Sequence, residues 1–150
     1  MKIEQALPKQ AAELSRVSLA AKSDWAYSYE VIKSWQQALV ITADSIRSNL
    51  TFVAIEQEII VGFYQLKVSA TTTRLEHLWV LPEHMGKGVG RGLLQHASRM
   101  AKASLIIDSD PHAENFYLAC GALRVSCIAA PIAGQPDRFL PRMELPYVAV

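Results

Sequence analysis

The chain has 150 residues, enough for one domain that buries roughly 70% of its unfolded surface and too few for two. Apolar residues make up 51% and charged ones 19%, which excludes a disordered or low-complexity chain. Fifteen Lys and Arg against fourteen Asp and Glu leave a net charge of +1, so no global field recruits nucleic acid or acidic lipid.

In chain order, residues 1–7 alternate weakly and predict a short first strand. Pro8 then suits the first turn of a helix, and Ala11, Leu14, Val17 and Ala21 recur at helical spacing as far as Lys22. A second helix is predicted from Ser28 to Leu39, with Val31, Ile32, Trp35 and Leu39 on its apolar face. Thr42 and Asp44 are N-cap residues for a short helix running through Ile46 to Leu50. The segment TFVAIEQEIIVGFYQLKVS reads as two antiparallel strands joined by a tight turn at Glu56-Gln57-Glu58. A third strand, RLEHLWVLP, stops at Pro82. From Lys87 to Ala103, Val89, Leu93, Ala97, Met100 and Ala101 form a helical stripe. LIIDSD is a short buried strand, HAENFYLACG a helix closed by Gly121, and LRVSCIAA and RFLPRMELPYV two final strands around a Gly/Pro loop at 131–137. No linker, repeat or low-complexity stretch divides residues 1–150, so one α/β domain is expected.

The two cysteines, Cys120 and Cys127, have no metal-ligand spacing around them and read as small apolar fillers; no metal site is expected. The first fourteen residues lack an apolar run of signal-peptide length, and no stretch approaches the ~20 apolar residues that span a bilayer. A soluble protein of the cytoplasm, without membrane contact, is the expectation.

Glycine placement is the unusual feature. Gly86, Gly88, Gly90 and Gly92 crowd into seven residues at a strand-to-helix junction, where each costs roughly 1 kcal/mol relative to alanine. Glycine lets a ligand approach the backbone, and free N–H groups at a helix start attract phosphate. Lys87 and Arg91 add positive charge. The structural alternative is tight helix–sheet packing. A P-loop would need Lys-Ser/Thr after the last glycine, where Arg91-Gly92 stands. The GxGxxG dinucleotide pattern fails at Arg91, although Asp108 lies where a ribose-binding acid would sit.

LPEHMGKGVGRGLL resembles the acyl-CoA-binding motif of the GNAT superfamily of N-acetyltransferases, Gln/Arg-x-x-Gly-x-Gly/Ala, with Gly88 and Gly90 at its glycine positions and Met85, a departure, where Gln or Arg is usual. DPHAENFYLACGA resembles the family's second motif, with Ala113, Phe116, Tyr117 and Gly121 in place, Asp110 where Asn is usual and Ala122 where Phe is usual. The resemblance implies a mixed, mostly antiparallel α/β sheet of six or seven strands flanked by helices and splayed between strands 4 and 5. It also implies transfer of an acetyl group from acetyl-CoA to a primary amine of a small molecule or peptide, directly within a ternary complex. A non-catalytic acyl-CoA-binding sensor is the alternative.

By the same resemblance, the backbone N–H groups of Gly86, Lys87, Gly88, Val89, Gly90 and Arg91 cradle the CoA pyrophosphate, and the backbone around Leu78 and Val80 pairs with the pantetheine arm. Gly92, one step further into the helix, is read as packing on the sheet. Tyr117 aligns with the tyrosine that many members aim at the CoA sulfur, which implies a general acid; on its own it also reads as an amphipathic core tyrosine. Glu76, on the strand leading into the loop, reads either as the base that accepts the amine proton or as a solvated sheet-face carboxylate; a water relay replaces such a base in some members. His84, in the loop before the glycines, reads as exposed rather than catalytic, and His77 and His112 have no defined partner in the sequence. In the connection KSDWAYSYE, helix amphipathicity does not require Trp25, Tyr27 and Tyr29. They read as an acceptor-pocket wall or as a loop pinned to the core by Trp25. Homodimers are frequent in the family, and the resemblance carries that expectation too.

Overall fold

The computed structural model of the chain describes residues 1–148. Its elements are β1 (Lys2–Gln5), α1 (Ala11–Ser23), α2 (Tyr29–Leu39), α3 (Ala43–Ser48), β2 (Leu50–Glu56), β3 (Ile59–Val68), β4 (Thr73–Val80), α4 (Val89–Ala101), β5 (Leu105–Asp108), α5 (Glu114–Ala119), β6 (Leu123–Ala129) and β7 (Phe139–Leu145). The starts follow local chemistry. Ser28 Oγ accepts from the Val31 N–H at 3.2 Å and Thr42 Oγ1 from the Ser45 N–H at 3.0 Å, capping α2 and α3. Pro8, Pro82 and Pro111 each open a one-turn 3₁₀ segment. The turn between β2 and β3 places Gln57 and Glu58 at φ +48° and +66°, the left-handed pair that matches hairpin twist. Gly121, at φ +98°, ends α5 as its position predicts.

The seven strands form one mixed sheet in the order β1-β2-β3-β4-β5-β7-β6. All pairs are antiparallel except β4–β5, which joins through only Thr73 with Leu105 and Arg74 with Ile106. Beyond that point β5 continues against β7, while β4 runs from Leu75 to Val80 paired on its β3 side. The sheet is splayed there, opening a wedge between β4 and β5.

Strand alternation divides the core. Val53 and Phe63 pack with Leu14, Val17 and Ile46 of α1 and α3, whereas Ala54, Tyr64 and Leu66 pack with Leu93 and Leu94 of α4 and Met143 of β7. Within β4 the pairing shifts from Gln65–His77 to Leu66–Leu75, leaving Glu76 without a partner. This bulge puts Leu75 in the same cluster as Leu78 and Val80, an odd separation that regular alternation forbids. Trp79 and Leu81 face the other cluster.

Three expectations need correction. The segment HAENFYLACG is a 3₁₀ turn followed by a six-residue helix, because Asp110 accepts from the His112 N–H and holds a tight turn first. Cys120 is half-buried against the core, but Cys127 is exposed on β6 and fills nothing. A Cβ on Gly92 would meet Met1 Cε at 2.7 Å, so its neighbour is the first residue of the chain and not the sheet. No helix among the described residues is long and apolar enough to cross a membrane.

Candidate active site

The wedge is a cavity of about 760 Å³, walled by β4, the start of α4, α5, the end of α1 and the chain on either side of Arg138. At its α4 end, Gly86 and Gly88 have φ +75° and +86°, with open space where a side chain would project. These left-handed turns favour glycine. Gly88 is the N-cap of α4 and makes no side-chain cap. The first intrahelical bond is from the Gly92 N–H to the Gly88 carbonyl at 3.0 Å, so the N–H groups of Val89, Gly90 and Arg91 have no acceptor within the helix. Each other α-helix carries an acidic residue in its first turn, and α4 carries none. This uncapped positive helix end suits an anion such as a pyrophosphate. Arg91 lines the cavity and donates to the Ala119 carbonyl at 3.3 Å; Lys87 is exposed and the Val89 side chain is buried in the core. Gly90 lies against Phe116, whose Cζ a Cβ would meet at 3.3 Å.

Tyr117, from α5, is buried in the core cluster and also forms part of the cavity wall. Burial raises its phenol pKa, so the hydroxyl keeps its proton at neutral pH and serves as a donor. Leu78, Val80 and Glu76 line the cavity from β4. Glu76 is more than a third exposed and lies 3.6 Å from Arg74. His77 Nδ1 accepts from Trp79 Nε1–H at 3.0 Å, which leaves the ring proton on Nε2, and burial lowers its pKa to about 4. It is a neutral imidazole at physiological pH.

At the far end the wall is both aromatic and charged. Trp25, Trp35 and Trp79 line it, and these are all three tryptophans of the chain. Lys22 Nζ lies 4.3 Å from the Trp35 ring centre and 5.3 Å from that of Trp25. Asp110 ties the walls together. Its Oδ2 accepts from Lys22 Nζ at 2.6 Å, Tyr27 Oη at 2.8 Å and Arg138 Nη2 at 3.3 Å, and its Oδ1 accepts from the His112 N–H and lies 2.8 Å from His112 Nδ1. Burial pushes the Asp110 pKa up, but the bonds from Lys22 and His112 outweigh it and hold the carboxyl below its ordinary value. Burial likewise lowers the Lys22 pKa against the pull of Asp110. Asp108 is gripped by Arg142 and Arg74, so it is committed within the fold.

The structure therefore brings Gly86, Gly88, Gly90, Arg91, Leu78, Val80, Glu76, Tyr117 and Trp25 to one cavity. Tyr27 stands behind the wall, bonded to Asp110. Tyr29 is 78% exposed at the start of α2 and lies away from the cavity. Sequence reasoning passed over Trp35, Trp79, Asp110 and Arg138 as site residues. A carboxylate in the second motif's first position is a signal for Asp110; a lone arginine at the start of the last predicted strand carries none.

Residues 47–121, half of the chain, match the family model described as the acetyltransferase (GNAT) domain. No curated protein matches the chain. Among solved structures, a GCN5-related N-acetyltransferase from Rhodopseudomonas palustris superposes with a TM-score of 0.78 at 22% identity, over 97% of this chain and 94% of that one. The PaiA N-acetyltransferase of Thermoplasma acidophilum, solved in complex with coenzyme A, gives 0.74 at 21% identity, over 97% and 98%. The ribosomal-protein-S18-alanine N-acetyltransferase of Escherichia coli gives 0.73 at 17% identity, over 99% and 95%. At these identities the likeness is one of fold.

Proposed function

The chain belongs to the GNAT acetyltransferases, and from that premise we propose that it moves an acetyl group from acetyl-CoA to a primary amine of a small molecule or peptide, as one catalytic domain acting in a ternary complex. The observation that carries this reading is the uncapped start of α4 opening onto the same cavity as Tyr117. The backbone N–H groups from Gly86 to Arg91 receive the pyrophosphate. The free edge of β4 beside Leu78 and Val80 receives the pantetheine arm as an added strand. Acetyl-CoA supplies the activated thioester.

Tyr117 donates its hydroxyl proton where the thiolate departs, and Glu76 takes the proton that the attacking amine gives up. The wall formed by Trp25, Trp35 and Trp79 receives the acceptor. Incubation of the purified protein with acetyl-CoA and a panel of amines, followed by free-thiol release and product mass, tests the reading. Transfer to at least one amine is expected. Tight CoA binding without transfer to any amine would make the protein an acyl-CoA-binding sensor instead.

A further inference from the structure

We infer that the acceptor is an amine that also carries a carboxylate, on a planar or apolar body, and that Arg138 selects it. The inference rests on the acetyl-transfer reading above and specifies the substrate class of the same cavity. The deciding feature is the charge balance at the aromatic end. Two cations, Lys22 and Arg138, stand in the wall with side-chain exposures of 12% and 6%, and they share one buried carboxylate, Asp110. The partition is uneven: Lys22 holds Oδ2 at 2.6 Å, while Arg138 reaches the same oxygen only at 3.3 Å. Arg138 also donates to the Ala130 carbonyl and the Tyr27 hydroxyl, but its buried Nε–H has no acceptor among the described residues. The guanidinium is thus short of both hydrogen-bond partners and counter-charge, and a second anion beside it in the cavity offsets the uncompensated charge.

A cationic acceptor finds the opposite situation. Lys22 already sits over the faces of Trp25 and Trp35, and Arg138 lies 5.2 Å from the Trp35 ring centre. The aromatic faces that would attract an ammonium are thus taken, and a polyamine would meet two fixed positive charges. The ring edges and the apolar side chains of Ile132 and Leu140 remain for a flat or apolar body.

The test uses two matched pairs that differ only in charge: phenylalanine with phenylalaninamide, and 4-(aminomethyl)benzoate with 4-(aminomethyl)benzamide, which spans a longer distance; spermidine serves as a polycation. Because all three tryptophans line the cavity, quenching of intrinsic fluorescence in the presence of CoA reads occupancy independently of turnover. In at least one pair the acid should bind about tenfold or more tightly than its amide, and spermidine should bind weakest. Arg138→Gln should bring the acid-to-amide ratio toward one, and Arg138→Lys should retain part of it. Equal binding within both pairs, or preference for the amides or spermidine, overturns the inference in the unaltered protein, whatever the variants do. Failure of acetyl transfer to every amine would count against the proposed activity alone, since the acid preference is read from binding.

Discussion

The Lys22 ammonium and the Asp110 carboxylate lie 2.6 Å apart across 88 residues of sequence. That contact joins the end of α1 to the β5–α5 junction, and Asp110 extends the link to Tyr27 before α2 and to Arg138 before β7. Four separate segments therefore converge on one buried carboxylate at the aromatic end of the cavity, where Trp35 of α2 and Trp79 of β4 join Trp25 in the wall. Removing that carboxylate leaves two buried cations without a counter-charge, a change worth about 3–5 kcal/mol. Asp110→Ala should lose stability in this range by urea denaturation. Asp110→Asn should lose less, because an amide oxygen still accepts from Lys22 and Tyr27. Equal losses in the two variants would mean that charge, and not hydrogen bonding, dominates the site.

Tyr117 is part of the core and of the cavity wall at once, so its ring and its hydroxyl are separable. Tyr117→Phe keeps the ring. We expect kcat for acetyl transfer to fall roughly 10²–10⁴-fold, with CoA affinity and thermal stability close to those of the unaltered protein. A kcat within a few-fold of the original would leave the tyrosine a packing residue only.

Glu76 occupies the bulge in β4 and lines the cavity. As the base, it takes the proton that the attacking amine gives up. Glu76→Gln keeps the shape and removes the proton acceptor, so kcat should fall roughly 10²–10⁴-fold, with CoA affinity close to that of the unaltered protein. A kcat within a few-fold of the original would assign proton acceptance to water.

Gly88 offers a test of the helix start. A Cβ there meets no atom within 4 Å, so a substitution is opposed by φ +86° and not by a clash. Gly88→Ala should cost about 1–2 kcal/mol of stability, and its side chain should weaken CoA binding by obstructing the cradle. Asparagine tolerates the left-handed region better than alanine, so Gly88→Asn should recover stability without recovering affinity. Calorimetric titration with CoA alongside thermal unfolding separates the two effects.

The contrast between what was readable in the chain and what was not follows from range. Helix starts at Ser28 and Thr42, the hairpin at Gln57-Glu58 and the glycine junction before α4 are set by neighbours within four residues, and periodicity exposed them. The bulge at Glu76 depends on pairing with β3, so alternation alone could not place Leu75 with Leu78. The Asp110 cluster depends on contacts as distant as Lys22 and Arg138, and no local pattern encodes those. Tyr29 shows the converse: an aromatic in the right loop, aimed at solvent by the first turn of α2.

His77 provides the clearest pH signature. Its ring accepts from Trp79 at 3.0 Å and is held by burial to a pKa of about 4 in the folded chain, against an ordinary value of 6.5. Between these values the unfolded chain binds the proton and the folded chain does not. Stability is thus fully present above pH ~6.5 and declines as pH falls toward 4. At about 1.4 kcal/mol for each pH unit, the loss is on the order of 3 kcal/mol. His96 is also lowered by burial and by Arg99, so it adds a slope of the same sign, whereas Asp108 and Asp110 lose their contributions only in more acid solution. The comparison with His77→Gln isolates the term: the amide oxygen can still accept from Trp79 but does not titrate. Urea denaturation at intervals from pH 7 to pH 4 should give two stability curves that converge on acidification. Parallel curves would show that the folded protein admits the proton at His77 at no cost in stability, even though a protonated Nδ1 no longer accepts from Trp79.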